Sequence, residues 1–171
     1  MNYYIGIDPG KKGCLCLLSQ DKQIEFFDWP KDGNVIDYYR RINKAICELP
    51  VELCVLEKVH AMPKQGVSSM FTFGTNFGMW QGWIIGWQIP CVQVAPQTWM
   101  KGLISKADGT NTKHQVSNAA QRMFPNAQLT GPMGGYKDGR GDALLMAYYA
   151  MLQSPGGRPV PSKKYKSLRR S

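Results

Sequence analysis

The chain has 171 residues, 43% of them hydrophobic, and a net charge of +9 from 21 Lys and Arg against 12 Asp and Glu. That length fits one domain, and that apolar content excludes a disordered chain. The charge points to a polyanionic partner, either nucleic acid or an acidic membrane surface.

The charge is uneven. Arg158, Lys163, Lys164, Lys166, Arg169 and Arg170 give the C-terminal stretch +6 with no acid among them, which leaves +3 for everything before it. The expected division is a folded domain over residues 1–153 and a basic, flexible tail over 154–171, where Pro155, Gly156, Gly157, Pro159 and Pro161 oppose regular structure. Five cysteines (Cys14, Cys16, Cys47, Cys54, Cys91) show no C-x-x-C spacing. They read as free thiols in a reducing compartment, without zinc. The N-terminus runs directly into a strand-like segment, so no signal peptide is expected and a cytoplasmic location is.

Taken in chain order, Tyr3–Asp8, Gly13–Ser19 and Gln23–Trp29 read as three strands joined by turns short enough for antiparallel hairpins. Asn34–Glu48 has helical spacing, with Ile36, Tyr39, Ile42, Ile46 and Leu49 on one side and Pro50 as the stop. Glu52–Glu57 is a fourth strand and ends in an acid, as the first one does at Asp8. From Gln65 to Met100 there is no charged residue. Polar residues and glycines interrupt this stretch, so a buried helix over Ser68–Gln88 is expected rather than a membrane span, which needs ~20 mostly apolar residues.

In that helix Gly74, Gly78, Gly82 and Gly86 recur every fourth residue, opposite Phe73, Phe77, Trp80, Trp83, Ile84 and Trp87. A mid-helix glycine costs ~1 kcal/mol relative to alanine, so four of them imply a close backbone neighbour. Either a second subunit packs there, or the helix is a core element within one chain. Pro90–Val94 is a fifth strand, Pro96–Gly102 a short helix, Ser105–Asn111 a polar loop, Thr112–Phe124 a helix, Asn126–Tyr136 a loop and Asp142–Leu152 the last helix.

Asp8, Glu57, Asp138 and Asp142 thus fall at element ends, with the first and fourth strands expected as neighbours. Four carboxylates brought together repel one another unless divalent cations intervene. Mg²⁺ takes hard oxygen ligands, and two such ions ~3.5–4 Å apart activate water and stabilise the leaving oxygen in phosphodiester hydrolysis. Mn²⁺ is expected to substitute.

"YIGIDPG", "CVLEKV" and "KDGRGDALLMA" resemble the three acidic motifs of the RuvC-type Holliday junction resolvases. "VAPQTWMKGLI" and "TKHQV" resemble segments between the second and third motifs, so the likeness spans roughly residues 3–151. The short chain and its "MFTFGTNFGMWQGW" helix look like phage-encoded members.

The resemblance implies an RNase H-like α/β fold: a five-stranded mixed sheet, three antiparallel strands then two parallel ones, flanked by helices. It also implies a homodimeric, Mg²⁺-dependent endonuclease that cuts branched DNA, above all four-way junctions, and leaves 5′-phosphates. It brings no nucleotide cofactor and no membrane, and places the protein in the cytoplasm of a bacterium or a phage-infected host. Asp8, Glu57 and Asp142 would hold the metals.

For the fourth ligand the family pattern places two acids three residues apart, but Gly139 stands there. Asp138, four residues before Asp142, shares a helical face with it. It is either that ligand or a cap or turn residue. Lys113 matches a lysine that neutralises the scissile phosphate, or is a solvated surface lysine. Lys11, Lys12, Lys58 and Arg140 flank the acidic motifs as phosphate contacts. His60 falls where an aromatic side chain wedges the junction open, a task Met62 or Phe71 can also take.

Three rivals share parts of this pattern. An actin-like or sugar-kinase-like ATPase needs two lobes, more than 171 residues supply. A catalytically idle DNA-binding module leaves costly carboxylates without a task. A nuclease of the same fold with another substrate, such as RNA–DNA hybrid or flaps, fits the sequence as well.

Overall fold

The computed structural model describes residues 1–59, 66–109, 111–131 and 134–154, and of residues 112, 113 and 138 the backbone alone. The expected tail and His60 and Met62 lie outside the described residues.

Five strands form one sheet: β1 (Tyr3–Asp8), β2 (Cys14–Ser19), β3 (Ile24–Asp28), β4 (Val51–Glu57) and β5 (Cys91–Val94). Their order is β3-β2-β1-β4-β5. The β1–β2 and β2–β3 pairs are antiparallel, and β1–β4 and β4–β5 are parallel. The expected mixed α/β sheet is therefore observed.

Helices cover both faces. Helix α1 (Val35–Ile46) and helix α2 (Val67–Trp87) pack with Ile5, Ile7, Leu15, Leu17, Cys54 and Leu56. On the other face, α3 (Pro96–Met100), α4 (Thr112–Met123) and α5 (Asp138–Gln153) pack with Tyr4, Cys14, Cys16, Leu18, Leu53 and Val55. Strand side chains alternate between faces. Hence Gly6 and Asp8 follow Tyr4 toward α5, and Glu57 follows Leu53 and Val55 to the same side.

Parallel register is not continuous. Tyr3 pairs with Val51 but Tyr4 with Leu53, so Glu52 is an extra residue in β4 at that point, a bulge. Beyond it the ladder runs regularly to Ile7 opposite Leu56.

Two expectations need correction. Helix α1 buries Tyr38, Ile42 and Ile46, while Ile36 is 67% exposed. Ile42 and Ile46 point inward as expected, but in the first turn the buried aromatic is Tyr38, one position earlier than Tyr39, with its hydroxyl donating to the Phe27 carbonyl (2.6 Å). Helix α5 begins at Asp138, a full turn before Asp142. The polar stretch before α4 also contains one turn of 3-10 helix at Lys106–Asp108.

In α2 the aromatic side packs inward. Trp80 and Ile84 are buried, and Trp80 and Trp83 join Trp29 and Tyr38 in one ring cluster. On the glycine side, a Cβ placed on Gly74, Gly78, Gly82 or Gly86 meets none of the described residues within 4 Å. Among the described residues, nothing of this chain covers that face. No helix among the described residues is long and apolar enough to cross a membrane.

Candidate active site

The carboxyl ends of β1 and β4 carry Asp8 and Glu57. Since Ile7 lies opposite Leu56, the next residues on the two strands stand side by side, on the face covered by α5. Asp8 is fixed by its turn: its Oδ1 accepts the Gly10 N–H at 2.9 Å. Glu57 is fixed by α3, where the fully buried Trp99 donates its Nε1 hydrogen to Glu57 Oε1 at 3.2 Å. Burial pushes the Glu57 carboxyl up to about 7, and the neighbouring Asp8 charge adds to the rise against the Trp99 hydrogen bond. A carboxyl in this state welcomes a cation.

Helix α5 brings the third motif to the same place through contacts that tolerate no side chain. A Cβ on Gly6 would stand 2.0 Å from the Ala143 carbonyl oxygen and 2.4 Å from the Ala147 nitrogen. A Cβ on Gly139 would stand 2.6 Å from the Lys12 carbonyl oxygen. The helix therefore rests its backbone on β1 at residue 143 and on the β1–β2 turn at residue 139. Asp142 lies in the helix between those two supports. The same contact explains why no acid stands at position 139: any side chain there would lever α5 off the turn. Asp138 is the first residue of the helix.

Among the described residues, no three acids, histidines or cysteines form a ready-made cation cage. What the register supplies is two carboxylates, Asp8 and Glu57, side by side at one sheet end, and carboxylate oxygens are the donors a hard cation takes. The raised Glu57 carboxyl reflects burial and the closeness of Asp8.

The basic residues divide into two groups. Lys11 and Lys12 are exposed on the turn after Asp8, and Lys58 is exposed just beyond Glu57. Lys113 lies in the first turn of α4, one turn before Val116, which contacts Gly141 of α5. The segment leading into α4 is pinned. Asp108 accepts from Arg122 (2.9 and 3.1 Å) and from Ser105 (2.8 and 3.0 Å), while Asn118 and Gln115 donate to the Asp108 and Gly109 carbonyls. The Arg122 hydrogen bond, ahead of those from Ser105, holds the Asp108 carboxyl near 2.

Arg140 is placed differently. Its Nε and one terminal nitrogen donate to the two oxygens of Asp28 (2.6 and 2.9 Å), and its other terminal nitrogen donates to the Gln128 carbonyl (2.6 Å). Only 14% of that side chain is exposed. Sequence reasoning placed Arg140 among phosphate contacts and missed both Asp28 and Trp99. Trp99 was within a motif already singled out, "VAPQTWMKGLI". Asp28 gave no signal beyond being another strand-terminal acid.

No protein-family model matches the chain. No curated protein sequence matches it either. Solved structures do. One is RuvC of Thermus thermophilus in complex with Holliday junction substrate, at 15% identity and a TM-score of 0.59, covering 90% of this chain and 94% of that one. The fold is that of RuvC. A second Thermus thermophilus RuvC structure agrees, at 16% identity and a TM-score of 0.54, covering 87% of this chain and 93% of that one. Both likenesses extend over most of this chain and of the RuvC chains.

Proposed function

We propose that this protein is a Mg²⁺-dependent, structure-selective endonuclease that resolves four-way DNA junctions. The observation that carries the proposal is the Asp8–Glu57 pair, side by side at adjacent strand ends with Glu57 pushed up to about 7. The RuvC-like fold supports the choice of substrate, because a solved neighbour was captured with a Holliday junction.

Asp8, Glu57, Asp142 and Asp138 would hold two cations. Bound there, the cations would supply activation of water and charge neutralisation at the leaving oxygen. The chain's own residues do the rest. Trp99 keeps the Glu57 carboxylate turned toward Asp8, and the Gly10 amide keeps Asp8 in place. Lys11, Lys12 and Lys58 hold flanking phosphates, Lys113 neutralises the scissile one, and His60 or the exposed Phe71 wedges the branch point. Water adds to phosphorus and the bond to the 3′ oxygen breaks, leaving a 5′-phosphate.

Two symmetric cuts need two sites, so the working unit is a homodimer. The open glycine side of α2, flanked by the exposed Phe71 and Ile85, is the face on which two copies pack.

The test uses matched synthetic DNA: an immobile four-way junction, a three-way junction, a flap and a linear duplex, with Mg²⁺ or Mn²⁺. Paired nicks on the four-way junction are expected, lost in Asp8→Asn while binding persists. Equal cutting of all branched forms, or of RNA–DNA hybrid, replaces junction resolution with a broader nuclease. Tight binding without any cutting leaves a DNA-binding module.

A further inference from the structure

Asp28 ends β3, two strands away from Asp8, and its place in the register is not incidental. Asp8 pairs with Cys14 on β2, and Cys14 pairs with Asp28 on β3. Glu57, Asp8, Cys14 and Asp28 therefore form one row across the sheet, all on the side facing α5. The outer acid of this row has cationic partners from the start of α5. Lys137 Nζ donates to Asp28 Oδ2 at 2.6 Å, and Arg140 grips both oxygens. The Cys14 thiol donates to Asp28 Oδ1 at 3.7 Å, and the Arg140 guanidinium lies 4.9 Å from the Phe26 ring centre. Burial alone would raise the Asp28 carboxyl, but the Arg140 and Lys137 hydrogen bonds and charges outweigh it and hold it below the usual range.

Helix α5 needs such an anchor. Its N-cap is Lys137, whose side chain makes no capping hydrogen bond. Helices ordinarily secure their first turn with a Ser, Thr, Asp or Asn cap. Here the cap residue's side chain goes to β3 instead, and the next basic residue, Arg140, goes to the same carboxylate. The first turn of the helix is held by tertiary contact, not by local sequence.

We propose that Asp28 is a positioning residue of the carboxylate site: by holding Lys137 and Arg140 it fixes the start of α5, with Asp138 and Asp142, against the ends of β1 and β4. The proposal rests on reading those acids as cation ligands.

The experiment compares full-length wild type with Asp28→Asn, Asp28→Glu and Arg140→Lys. Mn²⁺ affinity is read by titration calorimetry or electron paramagnetic resonance without DNA, four-way-junction binding by fluorescence anisotropy in EDTA, and folding by circular dichroism. Partners that orient metal ligands typically change metal affinity or activity by roughly 10- to 100-fold when removed. Asp28→Asn is expected to weaken Mn²⁺ binding by that factor and to raise the Mg²⁺ concentration needed for cutting. Junction binding in EDTA is expected to stay level or tighten, because Lys137 and Arg140 are released. Asp28→Glu restores part of the Mn²⁺ affinity. Arg140→Lys keeps the charge and loses the two-pronged grip, so it repeats the defect in milder form and stands in should Asp28→Asn not fold.

A folded Asp28→Asn with wild-type Mn²⁺ affinity overturns the positioning role, as does an equal loss of Mn²⁺ affinity and of EDTA-phase DNA binding. Wild type that binds no Mn²⁺ and cuts no branched DNA overturns the functional reading itself. The two failures are therefore distinct.

Discussion

The two faces of the sheet carry glycines for opposite reasons. On the α5 face, Gly6 and Gly139 are filled positions: backbone occupies the space a side chain would take. On the α2 face, a Cβ on Gly74, Gly78, Gly82 or Gly86 would meet none of the described residues. The α5 face carries Asp8, Glu57 and Asp28, whereas the inward residues of the α2 face are apolar and aromatic. A missing side chain on the first face brings a helix close enough to build a site. On the second it leaves a bare helix surface, the one we propose for a second copy.

The sharpest way to break this contrast is Gly6→Ala. With a carbonyl oxygen 2.0 Å from the new Cβ, α5 must move, and we expect a loss of about 3 kcal/mol in unfolding free energy, together with loss of cutting. Urea denaturation followed by circular dichroism measures the first, and the junction assay the second. A stable, active Gly6→Ala would mean that α5 is not seated on β1 as described.

A smaller effect separates the faces by charge. Glu57 titrates near 7 in the fold against 4.5 for an ordinary glutamate. Between those values the native state binds more protons than the unfolded chain, so metal-free stability falls as pH rises through that window and stays low above it. After discounting for solvent screening, about 1–2 kcal/mol is expected between pH 5 and pH 8. Thermal denaturation in EDTA is expected to show the decline, and Mg²⁺ to reverse it at pH 8 more than at pH 5.5. Glu57→Gln removes both the slope and the Mg²⁺ response.

The smallest expected effect has the opposite sign. In Gly78→Ala the new methyl meets nothing, and the gain in helix propensity is about 1 kcal/mol for the isolated chain. Gly78→Leu keeps the fold but places bulk on the face assigned to the partner. Its sedimentation is expected to shift from dimer to monomer. If both variants sediment as wild type does, the glycine face is not the interface.

Much of this organisation was legible in the residues. Strand-like runs and the short turns between them marked the five strands, and the acids at the ends of β1 and β4 marked the candidate site. Three things were not legible, because each depends on a partner remote in sequence. The burial of Tyr38 in place of Tyr39 in α1 goes with the Tyr38 hydroxyl reaching Phe27. The early start of α5 turns on Lys137 and Arg140 reaching Asp28, which replaces the cap that local rules look for. Arg140, a basic residue inside an acidic motif, reads as a phosphate contact until β3 is set beside it.

The bulge at Glu52 has a reach that its location hides. Continued from Tyr3 opposite Val51 without the extra residue, the ladder would set Asp8 against Leu56 and turn Glu57 to the α1–α2 side. The phase of the two acids is therefore chosen at the far end of the strands, roughly 17 Å from where they are used. Like the offset on a vernier scale, one unmatched residue among silent backbone pairs decides which marks coincide.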